Sequence, residues 1–210
     1  MHTRRAALGT LAATGVAALA GCSLLNDPLE RAADPAAVEE SVADSAGFEQ
    51  NELIKQANET SVEVKNESRD VSLTNWLNRY TRATPEIDLD TALFGLLTTP
   101  TVTLAGQSAN PLRQLDRERL LQEMLDRLGV VPVENIQQVG ERQVTVLGDA
   151  VPVEEFLAET DQRVELRLHL GDLTNESDLL VLFALHPELL DLTEDVDTLA
   201  EGVVHPAERP

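Results

Sequence analysis

Cysteine is nearly missing from this chain: Cys22 stands alone. One thiol excludes an internal disulfide, so the fold must hold by packing alone. Lysine is as scarce, with only Lys55 and Lys65; the other basic residues are arginines. Aromatic residues are 3% of the chain. Any core is therefore built from Leu and Val, and the scarcity of rings weighs against a sugar-binding platform of stacked aromatics. Positive charge is outnumbered, 16 Lys and Arg against 37 Asp and Glu, for a formal charge of −21. Such a surface repels phosphate backbones, which argues against nucleic acid as a partner. It also repels itself at low ionic strength. Screening over about 3 Å at 1 M salt removes that penalty, and the composition reads as halophilic, an adaptation to molar salt. No apolar run reaches the ~20 residues of a confident membrane span.

What the N-terminus does hold is a leader. Arg4 and Arg5 precede an uncharged, Ala-rich stretch from Ala6 to Ala20, the pattern of a signal peptide. Thr3-Arg4-Arg5-Ala6-Ala7-Leu8 resembles a twin-arginine (Tat) export motif, without the aromatic residue often found after the arginines. Leu19-Ala20-Gly21-Cys22 resembles a lipobox. Small residues admit a peptidase, and the thiolate of Cys22 takes the lipid. Two buried acyl chains, of the palmitate kind, hold firmly at about 0.8 kcal/mol per methylene. The expected organisation is a signal peptide over residues 1–21, a tether over 22–33 and one domain over 34–210.

Within that domain, Asp34-Pro35 reads as the start of a helix with Val38, Val42 and Ala46 on one face, ended by Gly47. Leu53-Ile54 reads as strand. Period-two alternation over Ser61–Lys65 and Val71–Thr74 reads as a hairpin. Thr91–Leu97 is ambiguous between strand and helix. Leu121, Met124, Leu125 and Leu128 mark the clearest helix, opened by Asn110-Pro111 and stopped by Gly129. Val144–Val146 and Val151–Val153 flank a tight turn at Gly148-Asp149. Leu166, Leu168 and Leu170 alternate with Arg167 and His169, which places His169 on a wet face. Leu179–Leu185 is apolar on both faces and reads as a central strand, reached through a polar turn over 172–178. Val196, Leu199, Ala200, Val203 and Val204 predict a C-terminal helix with acidic residues crowding its start. Sheet hairpins interleaved with three helices predict an α+β fold, an antiparallel sheet with flanking helices.

The ordered segments "DPAAVEESVADSAGF", "VSLTNWLNRY", "TTPTVTLAG" and "VGERQVTVLG", behind a twin-arginine leader and "LAGC", resemble a family of archaeal (haloarchaeal) lipoproteins carrying a domain of unknown function, family 6517. The likeness runs over roughly Asp34 to His205. This chain departs in its aromatic poverty, with Leu97-Thr98-Thr99-Pro100 where the family tends to show Phe-Ser-Thr-Pro. The resemblance implies a curved antiparallel sheet similar to the Mog1/PsbP-like sandwich, and a lipid-anchored protein on the outer face of the cell membrane. It implies no activity.

The residues themselves form no catalytic set. His2, His169, His186 and His205 have no metal-ligand spacing, and no H-E-x-x-H occurs. Gly106-Gln107-Ser108-Ala109-Asn110 lacks the second glycine of a nucleophile elbow. Asp88-Leu89-Asp90, Asp172 with Asp178, and the Asp191–Asp197 run lack the calcium-loop pattern and read as solvated faces. No Gly-rich phosphate loop is present, and no cofactor is expected. Asn58, Asn66 and Asn175 stand in N-x-S/T sequons, candidate glycosylation sites. Trp76 and Tyr80, four apart, are candidates for pocket walls or, in a chain so short of large side chains, for core anchors. The expected function is a non-enzymatic binding or interaction domain, held to the membrane through lipid on Cys22, with a protein or small molecule as partner. The alternatives are an accessory or assembly factor of a membrane complex, or a hydrolase with an unfamiliar site.

Overall fold

The computed structural model describes residues 29–64, 67–83, 90–104, 107–108, 110–130 and 132–208. Arg4, Arg5, Leu19, Ala20, Gly21, Cys22, Asn66 and Asp88 lie outside them. The chain forms strands β1 (Leu29–Ala32), β2 (Ala37–Val38), β3 (Glu49–Val64), β4 (Glu67–Ala83), β5 (Asp90–Pro100), β6 (Thr103–Leu104), β7 (Gln107–Ser108), β8 (Val133–Val146), β9 (Asp149–Thr160), β10 (Glu165–Asn175), β11 (Asp178–Pro187) and β12 (Val203–Val204). Its helices are α1 (Glu40–Ser45), α2 (Arg117–Arg127) and α3 (Thr193–Glu201), with a 3-10 turn over Pro111–Gln114.

This corrects the expected fold. The molecule is β-rich, built on one large mixed sheet of eight strands, rather than α+β with a purely antiparallel sheet of the Mog1/PsbP-like kind. Two antiparallel meanders, β3-β4-β5 and β8-β9-β10-β11, join through the pairing of β5 with β11. β1 adds the one parallel pairing among the described residues, Leu29 opposite Val71 through Ala32 opposite Thr74, so the last residues of the expected tether extend the sheet. β3 and β8 are long, polar and partly exposed outer strands. Their weak alternation is why only Leu53-Ile54 and the end from Ser61 of β3, and only Val144–Val146 of β8, read as strand from sequence.

β11 is buried along its whole length, as a strand covered on both faces requires. Its odd residues, Leu179, Val181 and Phe183, join the cluster under α2; its even residues, Leu180, Leu182 and Ala184, join the cluster under α1 and α3. The sheet thus has two cores, one per face. α2 forms as its pattern predicts. Asp116 caps it by accepting from Arg119 N–H at 2.9 Å, and Leu120, Leu121, Met124 and Leu125 face the sheet. The turn ahead of it is separate: Asn110 caps only the 3-10 segment. Gly95 lies under Leu128, where a Cβ would sit 2.9 Å from a Leu128 methyl. That close approach lets the end of α2 lie against β5.

Several other elements depart from expectation. The helix expected from Asp34 is only α1; Ala37 and Val38 pair with Val204 and Val203 instead. Side chains from β4 capture that segment, as described below, and tertiary bonds outweigh local propensity. For the same reason Val203 and Val204 leave the expected C-terminal helix, which stops at Gly202. A Cβ on Gly202 would meet Val42 at 2.6 Å, so α1 and the end of α3 touch only because a glycine stands there. The β8–β9 hairpin turns at Leu147 and Gly148, with φ of 52° and 87°, one residue earlier than expected. Both positive values suit the primed turn that matches strand twist. Thr91–Leu97 resolves as strand within β5.

Candidate functional site

Three polar clusters lie within the fold. The first stands on the α3 face. β10 turns His169 inward and β11 does the same with His186, and each residue is 1% exposed. This corrects the wet-face reading of His169. Alternation places it away from Leu168 and Leu170, but α3 and the neighbouring strands cover that face too. The rings stack at 5.2 Å with Nε2 atoms 3.1 Å apart. The proton positions follow from the partners. His186 Nδ1 faces the Pro187 carbonyl at 3.0 Å, which only accepts, so Nδ1 carries the proton. Arg142 Nη1 donates to His169 Nδ1 at 2.9 Å. His169 Nε2–H therefore donates to His186 Nε2, and both rings are neutral.

Two arginines frame the pair. Arg142 binds Asp197 through Nε and Nη2 and reaches Glu155 at 3.0 Å. Arg167 binds Glu188 at 2.6 Å and the other oxygen of Glu155 at 2.7 Å. Glu155 bridges the two guanidiniums. Burial, with Arg142, His186 and Arg167 nearby, lowers His169 to a pKa of about 2. Burial also lowers His186. The bond from Arg167 holds Glu188 below the usual carboxylate range. All four ring nitrogens are engaged, so the pair offers no lone pair to a metal. Among the described residues no group of three His, Cys, Asp or Glu side chains could hold one. The cluster is a sealed structural element. Sequence reading misses it because the members come from five elements, β8 to β11 and α3; the one signal was a histidine on a strand flanked by Leu on both sides.

The second cluster closes the C-terminus. His205 sits 2.9 Å from Asn175 Oδ1 and 3.2 Å from Asp178 Oδ2, which also accepts from Asp34 N–H at 2.8 Å. Asp178, expected in a solvated turn, is 2% exposed, and burial raises its pKa. Asn175, a candidate for glycosylation, turns its carboxamide oxygen to His205. Asn58, the other described candidate, is exposed on β3. Three others of the acidic residues of interest are also paired: Asp172 with Arg117, Asp195 with Arg82 and Asp197 with Arg142, while Asp191 and Glu194 are exposed. They are not simply a solvated face.

Trp76 and Tyr80 are core anchors. Trp76 Nε1 donates to Ala33 O at 3.1 Å, and Tyr80 OH accepts from Val38 N–H at 2.8 Å. Between them Asn78 donates to Ala36 O and to the Tyr80 hydroxyl. Three side chains at i, i+2 and i+4 on β4 thus hold residues 33–38 across the sheet. Burial raises the Tyr80 pKa.

The third cluster lines an open groove of about 640 Å³ on the opposite face, between the β3–β4 arm and α2. Its apolar walls include Leu73, Leu112 and Leu115; its polar rim includes Asn58 and Glu123. Asn75 also lines it, is 3% exposed, and its carboxamide oxygen has no hydrogen-bond partner. Arg127 stands at the same groove but is committed to Glu123 at 2.7 Å and Gln56 at 2.8 Å. The volume falls within the ~300–1,000 Å³ range of small-molecule sites, and an apolar groove with few aimed polar groups is their usual chemistry.

Comparison with known proteins adds family but little else. No curated protein matches the chain in sequence. Among solved structures, a protein of unknown function from Pseudomonas aeruginosa is 8% identical, with 63% of this chain and 85% of that one covered and a TM-score of 0.31. LpqN, involved in cell envelope biogenesis of Mycobacterium tuberculosis, is 10% identical, with 75% and 90% covered and a TM-score of 0.36. Both likenesses are too slight to bear on activity. From residue 35 to residue 204, however, the sequence matches the model of the domain of unknown function DUF6517, and the chain belongs to that family.

Proposed function

We propose that this protein is a non-enzymatic binding domain held to the outer face of a cell membrane by lipid on Cys22 after twin-arginine export. The observation that carries the binding half is the groove between the β3–β4 arm and α2, with its unpartnered Asn75 oxygen. The anchoring half is supported by Arg4-Arg5, the uncharged stretch behind them and the Leu19-Ala20-Gly21-Cys22 pattern. With that anchor, the seven residues from Cys22 to Leu29 span at most about 25 Å. β1 then pairs with Val71–Thr74 of β4, next to Asn75. The groove would open near the membrane surface, suited to a solute or partner found there.

The test has two arms. Mass spectrometry of protein extracted from membranes is expected to find the chain starting at Cys22 with acyl chains attached, and Cys22→Ser is expected to release it from washed cells. A fragment screen read by amide chemical shifts is expected to map hits to residues around Asn75 and Leu112. Firm retention of Cys22→Ser refutes the anchor, and hits mapping only elsewhere refute the groove.

A further inference from the structure

The large sheet has two long outer strands, β3 and β8, and they end it differently. An outer strand turns a row of N–H and C=O groups outward, a template for another strand unless bulges or charges spoil it. β8 is spoiled. Its register against β9 slips at Glu134/Gln137 and again at Gln138/Gly140, and Asn135 stands at a φ of 56°. β3 slips only at Gln50/Glu52, and from Glu52 to Val64 it runs unbroken against β4. Among the described residues nothing pairs with its other side. From Leu53 to Ser61 every side chain is exposed or half-buried.

The charges on that stretch select a partner. They are Lys55 and Glu59, both exposed. Lys55 lies opposite Trp76, its Nζ 5.7 Å from the ring centre, and Glu59, an even number of residues on, shares that face. Among the described residues no ion pair holds either one. They stand symmetrically about Ala57. Antiparallel pairing with a second copy, about a two-fold axis at Ala57, sets Lys55 directly opposite Glu59 and Glu59 opposite Lys55. The same register sets Leu53 opposite Ser61, Ile54 opposite Thr60 and Gln56 opposite Asn58. An axis at Lys55 or at Glu59 opposes like charges, and one at Gln56 or Asn58 pairs neither. Unlike charges directly across a ladder are favourable and like charges unfavourable, so the Ala57 register wins.

We propose that β3 pairs with β3 of a second copy about a two-fold axis at Ala57, joining the two sheets into one. Such an isologous contact closes as a dimer. The axis stands normal to the sheet, so α2 and the groove of both copies lie on one face. The formal charge of −21 on each copy opposes their approach at low salt, and molar salt screens it. The contact depends neither on a ligand in the groove nor on lipid at Cys22.

The full chain carrying Cys22→Ser is used, so that an added thiol is its only one, in molar potassium chloride. Sedimentation is expected to show a concentration-dependent dimer. Lys55→Glu and Glu59→Lys are each expected to weaken it about tenfold, and the double exchange to restore it. Under mild oxidation Ala57→Cys is expected to cross-link to itself, because the axis brings its two Cα atoms within the ~4.4–6.8 Å of a disulfide. Lys55→Cys is not, because its own copy lies opposite Glu59, about 13 Å along the strand; mixed with Glu59→Cys it is. A monomer at every concentration overturns the proposal. So does a dimer that both single charge variants leave intact, or that the double exchange fails to restore. A dimer in which Ala57→Cys stays uncross-linked, or Lys55→Cys cross-links to itself as readily, uses another surface and overturns it too.

Discussion

Acid should unfold this protein through His169. In the unfolded chain a histidine titrates near 6.5; here burial beside two arginines lowers it to about 2. Its contribution is fully present above pH 6.5. It is lost as pH falls from 6.5 toward 2, because the unfolded chain takes up a proton that the folded chain refuses. Between pH 6.5 and 4.5 the loss grows by two pH units, at about 1.4 kcal/mol each, or about 3 kcal/mol from this one ring. His186, lowered in the same direction by burial, adds to it. Glu188, depressed by Arg167, adds a further loss as pH falls through the carboxylate range. Glu154 and Asp178, both raised by burial, work the other way and recover some stability on protonation. The perturbation is His169→Gln, which cannot charge and retains one donor and one acceptor for His186 and Arg142. The assay is urea unfolding at pH 7.5, 5.5 and 4.5 in constant molar salt. At pH 7.5 the variant should be weaker by about 1–3 kcal/mol, from imperfect replacement of two buried bonds. Over the acid range it should lose about 3 kcal/mol less than the parent. Parallel pH curves for the two proteins would refute the reasoning. So would nitrogen chemical shifts showing His169 charged in the folded protein at pH 5.

Three further outcomes follow from the packing and charge. Tyr80→Phe should destabilise by about 1–3 kcal/mol, since Val38 N–H loses its buried acceptor; hydrogen exchange at Val38 should speed up relative to the rest of the sheet. Gly202→Ala should cost about 1–3 kcal/mol by forcing Val42 away from the end of α3, seen as a lower urea midpoint with an unchanged m-value. Raising potassium chloride from about 0.1 to 1 M should raise the thermal midpoint, because screening relieves repulsion among 37 acidic residues; a falling midpoint would show that the arginine ion pairs outweigh it.

Elements with strong local signals were legible before the fold was seen. Leu179–Leu185 announces a strand covered on both faces, and β11 is the buried centre of the sheet. The spacing of Leu121, Met124, Leu125 and Leu128 announces α2, and aromatic scarcity points to Trp76 and Tyr80 as anchors. Outer strands were legible only at their hairpin ends, Ser61–Val64 of β3 and Val144–Val146 of β8. β3 and β8 bury few residues, so their sequences carry little alternation, and their pairing comes from backbone bonds to neighbours. Residues 34–38 have the composition of a helix start, yet side chains forty positions away hold them extended.

Charge, the near absence of lysine and aromatics, the leader pattern and the central apolar strand are properties of neighbours in the chain, and the sequence alone determined them. Which face of a strand is dry depends on what packs above it. Only the tertiary structure could decide that His169 is buried against His186, or that Asn75 stands unpartnered at a groove. Each involves groups from elements far apart in sequence, and burial and partnership exist only after those elements meet.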